Sequence, residues 1–281
     1  MKLALVARKD FEDAVRDRAL HVTAGVFALF GLGIGYAYSD RPTAAGADPA
    51  QLVTLLVLTG LFLVPIVALL LSQNDIVGKR RDGELKVLLG LPISRESIVL
   101  GTFLGRVAVV AVVVATLFVV SHLVAVVTFA PVDLELSMVA FVLLLVFGVV
   151  FVGIGTAISA TVRSPTSASG LTVGLFLLFV MPLWNFIVSR LVYVVNGFEQ
   201  AATYPDWAFA LENAEPFNAA RNLFAGSYNE LGQGFSLFGG PYPQPSRVVF
   251  YHEPAFGAVV LLAWLVVPLG LGYLRFREAD L

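Results

Sequence analysis

The sequence predicts an all-α integral membrane protein with six transmembrane helices, and two observations carry that reading. Hydrophobic residues fill 58% of the 281 positions, while charged residues fill 14%. The apolar residues collect in six runs, at 19–38, 52–71, 106–130, 138–159, 169–189 and 255–274. Each is close to the ~20 residues a helix needs to cross a bilayer. The strands of an outer-membrane barrel would alternate apolar and polar residues, and these runs do not.

The first element precedes the spans. Residues 2–18 read as an amphipathic helix at the membrane interface, with Leu3, Ala7, Phe11, Ala14 and Val15 as its stripe and Arg8, Lys9, Glu12, Asp13, Arg16 and Asp17 toward water. Opposite charges four apart (Arg8 with Glu12, Lys9 with Asp13, Glu12 with Arg16) add modest support. No cleavable signal peptide is expected, because these residues mix acids with bases and the first span is too long for an h-region.

Orientation follows from charge. If six spans alternate, fourteen of the eighteen Lys and Arg residues fall on one side, and only Arg41, Arg190, Arg221 and Arg247 on the other. The acids divide ten and ten, leaving formal charges of +4 and −6 on the two sides. The positive-inside rule then places both termini in the cytoplasm of a multi-pass protein of the cell membrane.

The most informative stretch lies between spans two and three, at 73–97 (QNDIVGKRRDGELKVLLGLPISRES). Asp82 is expected to cap a helix start, with Glu84 in the first turn and Leu85, Leu88 and Leu89 on one face. Gly90 and Pro92 stop it after about nine residues, and helices under ~12 residues are marginal in water. An apolar stripe on so short a helix at the membrane surface points to a partner that completes it. The competing reading is a helix resting on lipid.

Small residues in the spans mark expected helix contacts: Gly31, Gly33 and Gly35, then Gly101 and Gly105, then Gly148, Gly153 and Gly155, then Gly170 and Gly174. Polar groups inside the runs are few. His122 reads as an interhelical hydrogen-bonding residue, Arg106 as able to snorkel to the cytoplasmic surface, and Asn185 after Met181-Pro182 marks a point where span five can bend. Such sparse ionisable groups argue against a proton- or sodium-coupled carrier.

The outer loops 39–51 and 131–137 are short. The segment 195–254 is different, carrying Phe198, Tyr204, Trp207, Phe209, Phe217, Phe224, Tyr228, Phe235, Phe238, Tyr242, Phe250 and Tyr251. A disordered linker would be aromatic-poor. A compact outer helical cap between spans five and six is expected, with two short helices at 207–225 broken at Pro216 and a turn-rich return at 241–245.

Chemistry of its own is not expected. No phosphate loop of the G-x-x-x-x-G-K-[ST] kind is present, the three His residues are scattered, and there is no Cys for a disulfide or thiolate metal site. Ser167-Ala-Ser-Gly170 reads as a small-residue helix entry rather than a protease nucleophile. Neither catalytic, cofactor-binding nor metal residues are assigned.

With these pieces in place, the chain resembles permeases of the type-2 export class of ATP-binding-cassette transporters. It is similar in particular to the membrane subunit of the nitrous-oxide-reductase maturation transporter. The resemblance rests on the run from Ile76 to Gly101, on Ala7-Arg-Lys-Asp-Phe11, and on the order of elements along the chain. It implies a single permease domain over 1–281, with 82–91 as a coupling helix that docks in a separate ATPase. A smaller second coupling element would lie at 160–168. The implied ATPase-coupling residues are Asp82, Gly83, Glu84, Leu85, Leu88, Leu89, Pro92 and Arg163, and Asp at positions 88 and 89 is expected to uncouple transport. Where the family often has Glu before Arg, this chain has Lys79-Arg80.

The implied assembly is a permease homodimer with two ATP-binding subunits, which hold the ATP and Mg. Lipid surrounds it, an extracytoplasmic accessory protein is a further expected partner, and no nucleic acid is involved. A route between protomers would be lined by spans two and five, with spans one to three turning as a body. The alternatives are a membrane scaffold or sensor subunit, and an intramembrane enzyme.

Overall fold

The computed structural model describes residues 2–40, 48–179, 183–201, 203–227 and 250–279, and the elements there are α-helices and one 3₁₀ turn. The helices are α1 (Lys2–Arg16), α2 (Arg18–Ser39), α3 (Pro49–Ser72), α4 (Asp75–Arg81), α5 (Glu84–Gly90), α6 (Arg95–Val127), α7 (Leu134–Thr161), α8 (Pro165–Phe179), α9 (Leu183–Val195), α10 (Asp206–Glu212), α11 (Pro216–Ser227) and α12 (Pro254–Glu278). No strand occurs among the described residues. Asp17, Asp48, Ser94 and Asp133 each accept a backbone N–H of the helix that follows, which fixes where α2, α3, α6 and α7 begin.

Among the described residues, five helices are long and apolar enough to cross a membrane. The fifth expected span is two helices, α8 and α9, inclined to one another by 66°, and counting that pair as one span gives six. Residues 180–182, with the Met181-Pro182 step, lie outside the described residues. The third span also begins earlier than its apolar run. The Ser94 cap starts α6 at Arg95, adding about three turns before position 106.

The chain packs as two compact units, 1–172 with 265–281, and 173–264. In the first, α6 is the central helix, in contact with α1, α2, α3 and α7. Glycine spacing explains these contacts. A Cβ at Gly31 or Gly35 would stand 2.8 Å from the carbonyl oxygen of Leu117 or Ser121, so α2 lies directly on the α6 backbone. Gly101 and Gly105 do the same for α1, with Cβ positions 2.6 Å from Val6 and 2.8 Å from Asp10. Gly33, Gly170 and Gly174, which the sequence also marked as contact points, have nothing within 4 Å. Contact needs a spacing of four on one helix face; Gly33, two residues from each neighbour, turns away.

The α1 stripe is displaced from the expected one. Val6, Asp10 and Ala14 are buried and Leu3, Ala7 and Phe11 half-buried, whereas Val15 is exposed. The face packs on α6, and a charged residue stands at its centre. His122 bridges α6 and α7 as expected, its Nε2 2.8 Å from Ser137 Oγ and its Nδ1 2.8 Å from the Phe118 carbonyl.

Asn74 makes no side-chain cap on α4. Ser159 of α7 caps it instead, accepting the N–H groups of Ile76 at 2.9 Å and Val77 at 3.1 Å. Ser159→Ala is expected to cost about 1 kcal/mol. The check is a lower thermal midpoint together with faster hydrogen exchange at those two amides.

The second unit holds the helical insertion. Pro216 opens α11 and α10 precedes it, as the sequence suggested. Trp184 Nε1 donates to the Leu211 carbonyl at 3.0 Å and Trp264 Nε1 to that of Ala214 at 2.9 Å, tying α9 and α12 to the α10–α11 turn. Asn185 is explained here, since its Oδ1 accepts from Asn218 Nδ2 at 3.0 Å. The expected return at 241–245, with Tyr228, Phe235, Phe238 and Tyr242, lies outside the described residues.

Candidate functional site

The segment between α3 and α6 is two very short helices. Asp82 does not cap the second. It ends α4, its amide donating to the Gly78 carbonyl at 2.9 Å and its carboxylate accepting from Arg81 at 2.9 Å, which holds that carboxyl below its ordinary range. The start of α5 falls to Gly83, whose φ of +77° no other residue adopts without strain. Helix α5 runs for seven residues, Glu84–Gly90. Pro92 stands exposed beyond it, and Ser94 restarts the chain as α6.

The apolar stripe is completed from within. Leu85 is 1% exposed, in a cluster with Ile76, Ile98, Val99, Ala160 and Phe276, and Leu88 and Leu89 pack against that cluster. In the folded chain Leu85 is buried and Leu88 and Leu89 partly so, and the reason is positional: the ends of α7 and α12 reach the same level and offer the apolar surface the short helix lacks. What α5 shows to solvent is Lys86, Val87 at 70% exposure and Gly90, followed by Leu91 at 52% and Pro92. Sequence periodicity identified the apolar stripe correctly but not the side left open. Val87 and Leu91, four apart, were the available signal.

Around the cluster, arginines close helix ends. Arg95 Nη1 donates to the carbonyls of Phe276, Arg277 and Ala279 at 2.9, 2.7 and 2.9 Å, serving the last turn of α12. Arg80 Nη1 reaches the Val162 carbonyl at 3.3 Å, where α7 ends. A cation at a helix C-terminus is favoured by the helix dipole. Both guanidinium groups lie 5.9 Å from the centre of the Phe276 ring, within cation–π range. Arg163, in the turn after α7, is exposed and within electrostatic reach of Arg80. The expected second element at 160–168 is thus the end of α7, a short turn and the start of α8. Ser164 caps that start, accepting from Ser167 N at 3.1 Å, so Ser167 is engaged in helix initiation.

Glu84 is half-buried and paired with Lys9 of α1 at 2.8 Å, which raises the lysine's proton affinity. Arg106 does not snorkel freely. Its Nη2 is 2.6 Å from Asp75, and its Nε is 3.4 Å from Asp10. Lys79 pairs with Asp10 of α1. The sequence reading missed this group of four charges. Asp10 sits four residues from both Val6 and Ala14, on the apolar face, and that spacing was its signal.

In the second unit the carboxylate of Glu215 accepts the N–H groups of Phe217, at 2.8 Å, and Asn218. Burial outweighs these bonds and the nearby Arg221, and pushes the carboxyl up to about 8. Glu212 is raised by burial too, against the hydroxyl of Tyr204 that it accepts at 2.5 Å. Between the ordinary value of 4.5 and about 8, the folded state holds a proton the unfolded state has released. The stability that Glu215 contributes is therefore greatest below that window and falls as pH rises through it, by at most about 1.4 kcal/mol per pH unit for this one group. All three tryptophans, Trp184, Trp207 and Trp264, lie in this unit. The denaturation midpoint by tryptophan fluorescence is expected to fall between pH 5 and pH 8, and Glu215→Gln to flatten the slope.

Among the described residues no group of three His, Cys, Asp or Glu is placed to hold a metal ion. Long apolar helices with a charged, folded segment at one end define a multi-pass helical membrane protein. The particular family follows from comparison. A family model described as ABC-2 family transporter protein matches residues 4–281, and the chain belongs to that family. Two curated relatives, from Stutzerimonas stutzeri and from Pseudomonas aeruginosa, are each named "Probable ABC transporter permease protein NosY". They are 29% identical over 279 residues and 27% identical over 278, and each match covers 97% of both chains. The chain is a transmembrane permease subunit of an ATP-binding-cassette transporter; ATP hydrolysis belongs to a separate subunit.

Proposed function

We propose that the exposed side of the α4–α5 segment, Asp82, Lys86, Val87, Leu91 and Pro92, with Arg163 from the neighbouring turn, is where the ATP-binding subunit docks. The observation that carries this is the pair Val87 and Leu91, two large apolar side chains left bare on and just beyond a helix whose own stripe is packed against the rest of the chain. Gly83, Glu84, Leu85, Leu88 and Leu89 then act from behind, shaping and supporting that surface. The reading includes the 73–97 segment and both termini in the cytoplasm of a cell-membrane protein, the 195–254 insertion outside, and two permeases with two ATPases that carry the ATP and Mg. Excess Lys and Arg on one side supports the orientation.

Transport of force follows from differential contact. A surface that binds the ATPase equally well in its open and closed states shifts nothing, so docking must be tighter in one nucleotide state. The test is purification of the tagged chain in mild detergent with identification of what accompanies it. Recovery of an ATPase with a phosphate-binding loop, lost on substituting Val87 and Leu91, supports the docking surface. An intact, inserted chain recovered alone overturns it and favours a face that rests on lipid.

A further inference from the structure

Asp10 is 3% exposed, at the middle of the buried face of α1. Its carboxylate takes the ammonium of Lys79 on α4 and faces Arg106 on α6, which in turn holds Asp75 of α4. Lys79 also donates to Thr102 of α6 at 3.3 Å. One residue away, Lys9 pairs with Glu84 of α5. Adjacent residues of α1 therefore grip α4 from the buried side and α5 from the exposed side.

Two acids and two bases leave no net charge buried. Apolar side chains of similar volume often hold a fold as well as a buried ionic group does. What the charges add is register. Val6 and Ala14 alone would let an amphipathic helix slide, whereas charge-assisted bonds are directional and act at one point. The group is also unsaturated: Asp10 Oδ2, Asp75 Oδ2 and Arg106 Nε are buried without a hydrogen bond. Arg106, bonded to Asp75 and only facing Asp10, has a second acceptor beside it should α4 shift.

We infer that Asp10 is a positioning residue: through Lys79 and Arg106 it locks α1 to the α4–α5 segment, and a displacement of α5 carries α1 with it. This rests on the docking surface proposed above. The absence of Cys makes the test direct, since labelling sites need no background substitutions. In the purified chain alone, spin labels at Leu5→Cys and Arg81→Cys are expected to give a narrow distance distribution that broadens with Asp10→Asn. An unchanged width overturns the proposal whether or not any ATPase binds.

In the complex with its ATPase, a single label at Leu5→Cys is expected to report a nucleotide-dependent distance change between protomers. Asp10→Asn leaves an ammonium buried and unpaired, so Asp10→Asn with Lys79→Met is the second variant. It is expected to recover thermal stability while the nucleotide-dependent change stays lost. Recovery of that change along with stability would show Asp10 to be merely structural. Failure of the unmodified chain to hold an ATPase would count against the docking surface, while the measurement on the chain alone still decides the role of Asp10.

Discussion

Glutamate at both Val87 and Leu91 is expected to strip the ATP-binding subunit from the purified complex while the permease itself stays folded. A charge forced unpaired into a desolvated contact costs about 2–5 kcal/mol. Two such sites weaken affinity by about a thousandfold or more, at tenfold per 1.4 kcal/mol. Both side chains are largely exposed in the chain alone, so its thermal midpoint should move by no more than a surface substitution does, about 0.5 kcal/mol. Aspartate at Leu88 and Leu89 has a different expected result. Those side chains pack on the Ile76–Leu85–Phe276 cluster, and burying a carboxylate there would disrupt the basic end. Co-purification and thermal melting, measured together on both double variants, separate a lost contact from a lost fold.

The second large effect concerns α2. Valine at both Gly31 and Gly35 is expected to push α2 off α6, because the new side chains meet backbone carbonyls of Leu117 and Ser121, which cannot rotate away. Overpacking costs about 1–3 kcal/mol per site. Gly33 is the internal control. It lies between the two with nothing within 4 Å, and alanine there should be neutral or add up to about 1 kcal/mol through helix propensity. Thermal melting of Gly31→Val with Gly35→Val beside Gly33→Ala is the check; equal effects would mean that α2 does not lie on α6 as described.

Much of the fold was legible because a bilayer allows few solutions. Apolar runs of fixed length read as helices, and Asp17, Asp48, Ser94 and Asp133 announce four starts. The inclination of α8 to α9 was legible only as a point near Asn185 where span five can bend, and not in its size. At the candidate site the apolar stripe was legible in the sequence, and what covers it was not. Periodicity places Leu85, Leu88 and Leu89 on one face of α5, but only tertiary structure shows that Ala160 and Phe276, remote in sequence, cover that face. Asp82 was misread for a local reason: Gly83, not Asp82, has the conformation that starts α5, and the carboxylate is taken by Arg81. The Asp10–Lys79–Arg106–Asp75 group escaped notice because each member looks ordinary in its own segment, and their meeting depends on the close approach that Gly101 and Gly105 allow.

The cluster around Phe276 has a consequence for biogenesis. Its members come from α4, α5, α6, α7 and α12, so the basic end cannot close until the helix made after all the others has been inserted. Until then Leu85, Ile98 and Val99 lack their ring, Arg95 lacks the helix end it covers, and Arg80 has the end of α7 but not the ring beside it. Contacts that join such distant parts of a chain form late. A permease without its last helix in place therefore displays a bare apolar patch and an unengaged Arg95 beside the proposed docking surface. The state of this one corner reports whether the last helix has joined those made before it, so a partner docking at the proposed surface would select chains whose last helix is in place.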